Sequence, residues 1–243
     1  MNILGVIPAR GGSKSVPRKN LVDLLGKPLI AYTIQAAKDS RRLSHFVVSS
    51  EDAHILEVAR QLGAPAPFVR PQELATDQAP SLPVVQHAIR EMERILGLTF
   101  DFVVLLQPTT PMRRGEDIDA ALDKLTATGA DSVISVCDVG PYHPARMRRI
   151  VDDRLVELPI KEPREMARRQ DLSPVYIRNG AIYAARRDVV MLENSMVGAD
   201  CRAFVMPEER SVNIDGRLDL LMAEILMRAE EEKQAEGKPE IRS

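Results

Sequence analysis

The chain has 243 residues, 44% hydrophobic and 28% charged, with 33 Lys and Arg against 35 Asp and Glu and a formal net charge of −2. That is enough apolar mass for one substantial core, and the balance of charge excludes a protein built to coat nucleic acid. No apolar run approaches membrane-spanning length and the short apolar start lacks the basic flank of a signal sequence, so the expected location is the cytoplasm, away from membranes.

In chain order, Ile3-Leu4-Gly5-Val6-Ile7, closed by Pro8, reads as a strand buried on both faces, as in a parallel sheet. A glycine-rich basic loop follows, and then Ile30, Thr33, Ile34 and Ala37 recur at helical spacing behind Pro28. Phe46-Val47-Val48 predicts a second strand. Ser49-Ser50-Glu51-Asp52 predicts the start of a helix whose stripe is Ile55, Leu56, Ala59 and Leu62, with Gly63 as its stop. Phe68-Val69 reads as a short strand, and Val85, Ala88, Ile89, Met92 and Leu96 mark a helix. Residues 102–106 predict a central strand. A helix on Ile118, Ala121, Leu122 and Leu125 follows, then a strand at 132–136. Such alternation implies a mostly parallel sheet covered by helices, with ligands at the carboxyl ends of its strands. The loops after Pro8, Ser49 and Leu106 are therefore the expected walls of a site.

The pattern breaks over residues 140–178, which are rich in Pro, Arg and charge and could form an insertion, a substrate lid or a dimerisation arm. Strands are expected again at 181–184 and 203–206. A last helix is expected on Leu218, Leu221, Met222 and Ile225, ahead of a polar tail at 235–243. Glu230, Glu231 and Glu232 read as a solvated face. Cys137 and Cys201 are too far apart for a metal-ligand spacing and read as small buried residues of a reduced protein.

The most informative segment is the loop Arg10-Gly11-Gly12-Ser13-Lys14-Ser15-Val16-Pro17-Arg18-Lys19-Asn20, which carries four cations and no acid directly after the first strand. Glycines let backbone N–H groups approach a ligand, and Arg10, Lys14 and Lys19 suit a polyphosphate. The spacing is neither a Walker A motif nor a G-x-G-x-x-G fingerprint. An exposed turn with solvated charges is the competing reading, and the position after the first strand of an α/β pattern favours the ligand.

Residues 7–14, with Pro17-Arg18-Lys19-Asn20, closely resemble the signature of the acylneuraminate cytidylyltransferases, which make CMP-activated sialic and related nonulosonic acids. Gly26-Lys27-Pro28-Leu29-Ile30, residues 70–77, residues 105–111, Asn179-Gly180-Ala181-Ile182-Tyr183 and Asn213-Ile214-Asp215 extend the similarity over nearly the whole chain, in order. The resemblance implies a three-layer α/β/α, Rossmann-like nucleotide-diphospho-sugar transferase fold. It spans residues 1–234, with 140–178 a small dimerisation or lid subdomain, and implies a homodimer. It also implies CTP and a nonulosonic acid as substrates and Mg²⁺ as cofactor. Two rival readings are another sugar nucleotidyltransferase of the same fold, with a different base or a sugar-phosphate acceptor, and a non-catalytic nucleotide-binding protein.

By the same resemblance, Arg10, Lys14 and Lys19 are the catalytic cations on the phosphates, with Lys14 the first choice at the transition state. Fixed cations suit this reaction because charge builds on phosphate oxygens. Ala9, Gly11, Gly12, Ser13, Asn20, Arg70 and Ser81 bind the nucleotide; a turn-forming Asn20 and a helix-capping Ser81 compete with that role. Gln107, Arg169 and Asn179 hold the sugar acid, although Arg164, Arg168 and Arg178 are also candidates for its carboxylate. Asp215 and Asn213, on one face of a short strand, hold the metal. Family members carry aspartate at both positions, so Asn213 leaves a second metal in question, and Asp215 competes as a helix cap. His143 is read as shaping a loop, Tyr183 as core, Tyr176 as a pocket candidate and Asp219 as a solvated helix face.

Overall fold

The computed structural model describes residues 1–13, 16–76, 78–163 and 168–236, without the side chains of Arg169 and residues 234–236. The opening apolar run forms β1, Ile3–Pro8, the strand on which the sheet is built. After the basic loop come a small hairpin, β2 Asp23–Leu24 and β3 Lys27–Pro28, and helix α1, Leu29–Asp39. Strand β4, His45–Ser49, leads into α2, Ala53–Gln61, capped by the Asp52 carboxylate, which accepts from the His54 and Ile55 amides. Helix α3, Ser81–Leu96, precedes β5, Phe102–Leu105; helix α4, Gly115–Thr128, precedes β6, Ser132–Asp138.

The main sheet takes further strands from later in the chain: β9, Tyr176–Arg186, and β10, Cys201–Val205, with the short helix α5, Arg187–Met191, between them. Its order is β10-β6-β9-β5-β1-β4. β1 is parallel to β4 and β5, and β10 to β6, while β9 runs antiparallel to both β5 and β6. Alternation along the strands divides the core into two layers. Ile3, Ile7, Val104 and Leu106 pack with α1, α2 and α4 on one face. Leu4, Val6, Val103 and Leu105 pack with α3 and α5 on the other. The three-layer α/β/α expectation therefore holds.

Three predicted elements differ. Residues 68–69 form no strand; their backbone is held as an extended loop, with the Arg70 amide donating to Ser50 O at 2.8 Å. Residues 211–216 are also not a strand, although the Ile214 amide bonds Thr109 O at 2.7 Å and keeps the segment against the end of β5. The final helix, α6, Arg217–Glu236, exists, but Leu218, Leu221, Met222 and Ile225 are exposed. Its core-facing stripe is the buried Ala223 with the partly buried Leu220 and Met227, which packs with Leu24, Leu29 and Ile214. Periodicity found the helix and missed its facing, because both stripes have helical spacing. Cys137 is buried as expected and Cys201 is exposed; both are free.

Within residues 140–178, of which 176–178 already belong to β9 of the main sheet, a separate two-stranded sheet forms: β7, Arg148–Val151, paired antiparallel with β8, Arg154–Glu157. His143 fastens its base. Nδ1 accepts from the Ala145 amide at 3.1 Å while Nε2 faces Ser173 O at 3.0 Å, which requires the neutral Nε2–H tautomer. Among the described residues, no helix is long and apolar enough to cross a membrane.

Candidate active site

A cavity of about 380 Å³ opens at the carboxyl ends of β1 and β5, where an open α/β sheet places its ligands. Arg10, Gly12, Ser13, Lys19, Asn20, Arg70, Ser81, Gln107, Thr109, Asn213 and Asp215 line it. A larger groove, about 980 Å³, lies between α1, α4 and α6 and contains none of the predicted site residues. It is a wedge between helices, so strand geometry favours the smaller cavity.

The loop after β1 enters through backbone bonds. The Ala9 amide donates to Ser49 O at 3.0 Å, and the Ala9 side chain is fully buried. The Gly11 amide donates to Glu51 Oε1 at 2.7 Å, and a Cβ on Gly11 would come within 2.4 Å of Asp52 Oδ2. These two residues, expected at the nucleotide, are not among those lining the cavity. Their amides are already engaged, and Gly11 is glycine because of the close approach of Asp52. Gly12, whose Cβ would meet open space, and Ser13 face the cavity together with Arg10, Lys19 and Asn20 of the same loop. Lys14 lies outside the described residues.

Asn20 is buried and donates to Arg10 O at 2.9 Å, so the competing turn role is realised together with its place on the cavity wall. Arg10 reaches across to Thr76 O at 3.2 Å. Lys19 Nζ meets Ile214 O at 3.0 Å and Asp215 Oδ1 at 3.2 Å, joining segments 196 residues apart. Packing explains this meeting: the cluster of Leu24, Leu29, Ile214 and Ala223 lies beneath it. Ser81 is the first residue of α3, behind the N-cap Pro80, and makes no capping bond; its side chain is exposed at the cavity. The capping alternative for Ser81 is thus not realised.

Gln107 and Asn213 form the opposite wall, with Gly180 packed behind them. Pairing between β6 and β9 shifts register between Ile134 and Val136, so extra residues of β9 oppose Ser135. Within this bulge Gly180 has φ +78°, and a Cβ there would lie 2.8 Å from Gln107 Oε1 and 3.6 Å from Asn213 Oδ1. Glycine is needed both for the backbone and for the close approach of these amide oxygens. The Asn179 carboxamide fastens the bulge: Oδ1 accepts from Ser135 Oγ at 2.6 Å and from the Ala181 amide at 3.1 Å, and Nδ2 donates to Ser211 Oγ at 2.9 Å. Asn179, which the resemblance places at the sugar, is 3% exposed and is not among the residues lining the cavity. Its amide groups are committed inside the protein, and its effect on the cavity passes through Gly180.

Asn213 Oδ1 is buried and has no hydrogen-bond partner among the described residues, while Nδ2 donates to Asp215 Oδ2 at 3.3 Å. An orphaned amide oxygen beside an exposed carboxylate fits a hard cation that takes its remaining ligands from phosphate and water. No cluster of three His, Cys, Asp or Glu suited to a metal occurs among the described residues. The Asp215 carboxylate caps no helix. Asp219 does the turn's work instead, its Oδ2 accepting from the Asp215 and Gly216 amides at 2.9 and 2.8 Å.

Arg169 begins a 3-10 turn, Arg169–Asp171, and its side chain is outside the described set, as is the whole of Arg164. Arg168 pairs with Asp171, and Arg178 is exposed on β9. Tyr176 is exposed and Tyr183 packs in the second core layer, where burial raises its phenol pKa.

Two residues that sequence reading passed over support the site. Arg113 is 3% exposed, and donates to Gln107 O at 3.1 Å, Ala181 O at 2.6 Å and Thr33 Oγ1 at 2.5 Å. Burial lowers its pKa to about 9, which leaves it cationic at neutral pH while it ties the Gln107 turn to β9 and α1. Glu51, read only as part of a helix start, pairs with Arg70 at 2.5 Å beneath the loop. Its position just after β4 was the available signal, since strand ends supply site residues.

The family model described as Cytidylyltransferase matches residues 4–234. The chain is 36% identical over 234 residues to the CMP-N,N'-diacetyllegionaminic acid synthase of Legionella pneumophila, covering 96% of this chain and 99% of that one. It is 34% identical over 232 residues to the pseudaminic acid cytidylyltransferase of Campylobacter jejuni, with the same two coverages. Among solved structures, the CMP:2-keto-3-deoxy-manno-octonic acid synthetase complexed with CTP superposes with a TM-score of 0.72 at 20% identity, covering 95% of this chain and all of that one.

Proposed function

We propose, from the premise that this chain belongs to the cytidylyltransferase family, that its cleft joins CMP from CTP to the anomeric hydroxyl of a nonulosonic sugar acid and releases pyrophosphate. The chain is a CTP-dependent nucleotidyltransferase. The observation that carries the reading of the site is the meeting of Lys19 with Asp215 and the Ile214 carbonyl, which brings the cationic loop and the carboxylate segment onto one cavity.

In this reading Arg10, Lys14 and Lys19 hold the triphosphate. Gly12 and Ser13 give its oxygens backbone and hydroxyl partners, and Asn20, Arg70 and Ser81 take the nucleoside side. The sugar hydroxyl attacks the α-phosphorus; a new P–O bond forms as the bond to the bridging oxygen of pyrophosphate breaks. Negative charge grows on phosphate oxygens during that exchange, and preorganised cations stabilise it. Gln107 orients the sugar acid, and Arg169 neutralises its carboxylate. Asp215 and Asn213 would hold Mg²⁺, which when bound supplies further charge neutralisation to the phosphates.

We assign residues 140–178 to a homodimer. A two-stranded hairpin is marginal by itself, and here Ile150 and Leu155, paired across β7 and β8, are 74% and 73% exposed. A second copy covering these side chains accounts for the arm. The reaction's nucleotide substrate suits the cytoplasm.

The test is direct. Purified protein with Mg²⁺ is given CTP, GTP, UTP or ATP and a panel of N-acetylneuraminate, legionaminate and pseudaminate under one condition, and products are read by mass. A CMP–sugar acid with stoichiometric pyrophosphate is expected. A nucleotide–hexose product, or none with any pairing, defeats the reading.

A further inference from the structure

Three consecutive residues at the end of β4 hold both sides of the nucleotide cavity. Ser49 O accepts from the Ala9 amide at 3.0 Å, and Ser50 O accepts from the Arg70 amide at 2.8 Å. Glu51 repeats this division with its side chain. Oε1 accepts from the Gly11 amide at 2.7 Å, and Oε2 accepts from Arg70 Nη2 at 2.5 Å.

The Glu51 and Arg70 side chains are 9% and 3% exposed, so their attraction is little screened and their geometry is tightly set. Arg70 lines the cavity, and its Nε is buried without a hydrogen-bond partner among the described residues. A buried donor of that kind on a cavity wall is available to an acceptor on a ligand. On the other side, the Gly11 amide fixes the start of the stretch that presents Gly12 and Ser13. One carboxylate therefore spans the loop that faces phosphate and the arginine that faces the nucleoside.

We propose that Glu51 is a positioning residue that couples the cationic loop to Arg70, so that the two halves of CTP are gripped as a unit. The proposal rests on the reading of this cavity as the CTP site. Replacing Glu51 by Gln keeps the size but places an N–H donor against either Gly11 N–H or the Arg70 guanidinium, so both bonds cannot survive. Replacing it by Asp keeps the charge but is one methylene too short to span both partners.

The experiment is calorimetric titration of the full chain with CTP, and with CMP and inorganic tripolyphosphate as half-ligands, alongside thermal unfolding. Wild type is expected to bind CTP. E51Q is expected to weaken CTP by about tenfold or more, the usual scale for an orienting partner, and to weaken both half-ligands. E51D should recover part of the loss. A lowered melting temperature with unchanged CTP affinity, a loss confined to one half-ligand, or tighter binding overturns the proposal; tighter binding would mean that Glu51 competes with phosphate for the Gly11 amide. If E51Q fails to fold, E51D carries the same comparison. Failure of wild type to bind CTP defeats the reading of the cavity instead, so the two failures are distinguishable.

Discussion

The cleft and the arm are both incomplete, in opposite ways. In the cleft, polar groups lack partners: Asn213 Oδ1 and Arg70 Nε are buried with none among the described residues. In the arm, apolar side chains lack cover: Ile150 and Leu155 face solvent across a two-stranded hairpin. An unmatched polar atom asks for a directional, charged or hydrogen-bonding ligand, whereas uncovered apolar surface asks only for another surface. On the proposed reading, the difference separates chemistry from assembly in one chain.

If that division is right, charge removal in the cleft has the largest effect. Lys19→Ala is expected to cut turnover by about 10²–10³-fold while shifting stability by no more than about 1 kcal/mol, read by steady-state kinetics and thermal melts. Lys14→Ala is expected to behave alike. Equal loss of activity and stability would make the loop structural. Next comes Gly180→Ala, which strains a residue at φ +78° and crowds Gln107 and Asn213. It should lower kcat/KM for the sugar acid by about tenfold with CTP affinity retained, and destabilise by about 1 kcal/mol. Unchanged sugar kinetics would remove the bulge from the site.

The arm offers the contrasting case. Ile150→Asp with Leu155→Asp should convert dimer to monomer in sedimentation or light scattering, because each side chain forfeits about 1.5–3 kcal/mol of burial. CTP binding should persist. A dimer that survives both changes does not use this hairpin. The smallest effect belongs to Asn213→Asp, which adds a carboxylate beside Asp215. The Mg²⁺ concentration for half-maximal activity should fall about threefold to tenfold, and without Mg²⁺ the melting temperature should drop through like-charge repulsion. An unaltered Mg²⁺ requirement would detach Asn213 from the metal.

Sequence patterns exposed the sheet well because its strands are buried on both faces and its helices carry clear stripes. They misjudged α6, where Leu218, Leu221, Met222 and Ile225 form one helical stripe and Leu220, Ala223 and Met227 another; only the neighbours decide which is inside. The loop was readable because four cations and two glycines directly after a strand are a chemical statement in themselves. Asn179 and Glu51 were not. The first acts through a bulge, and the second through an amide 40 residues away, and neither relation leaves a local trace. Arg113 was hidden for a similar reason: its backbone acceptors, Gln107 O and Ala181 O, have no residue-type signature.

Strand β9 has a mechanical consequence. It begins beside the arm at Tyr176 and Ile177, both exposed, and runs on to Ala185, which is sealed in the second core layer. On the proposed dimer, quaternary contacts at its start and catalytic geometry near its middle would lie in series along this one strand. The bulge around Gly180 is the break in that strand, and on the proposed reading it is where movement of a second subunit would be felt by a bound sugar.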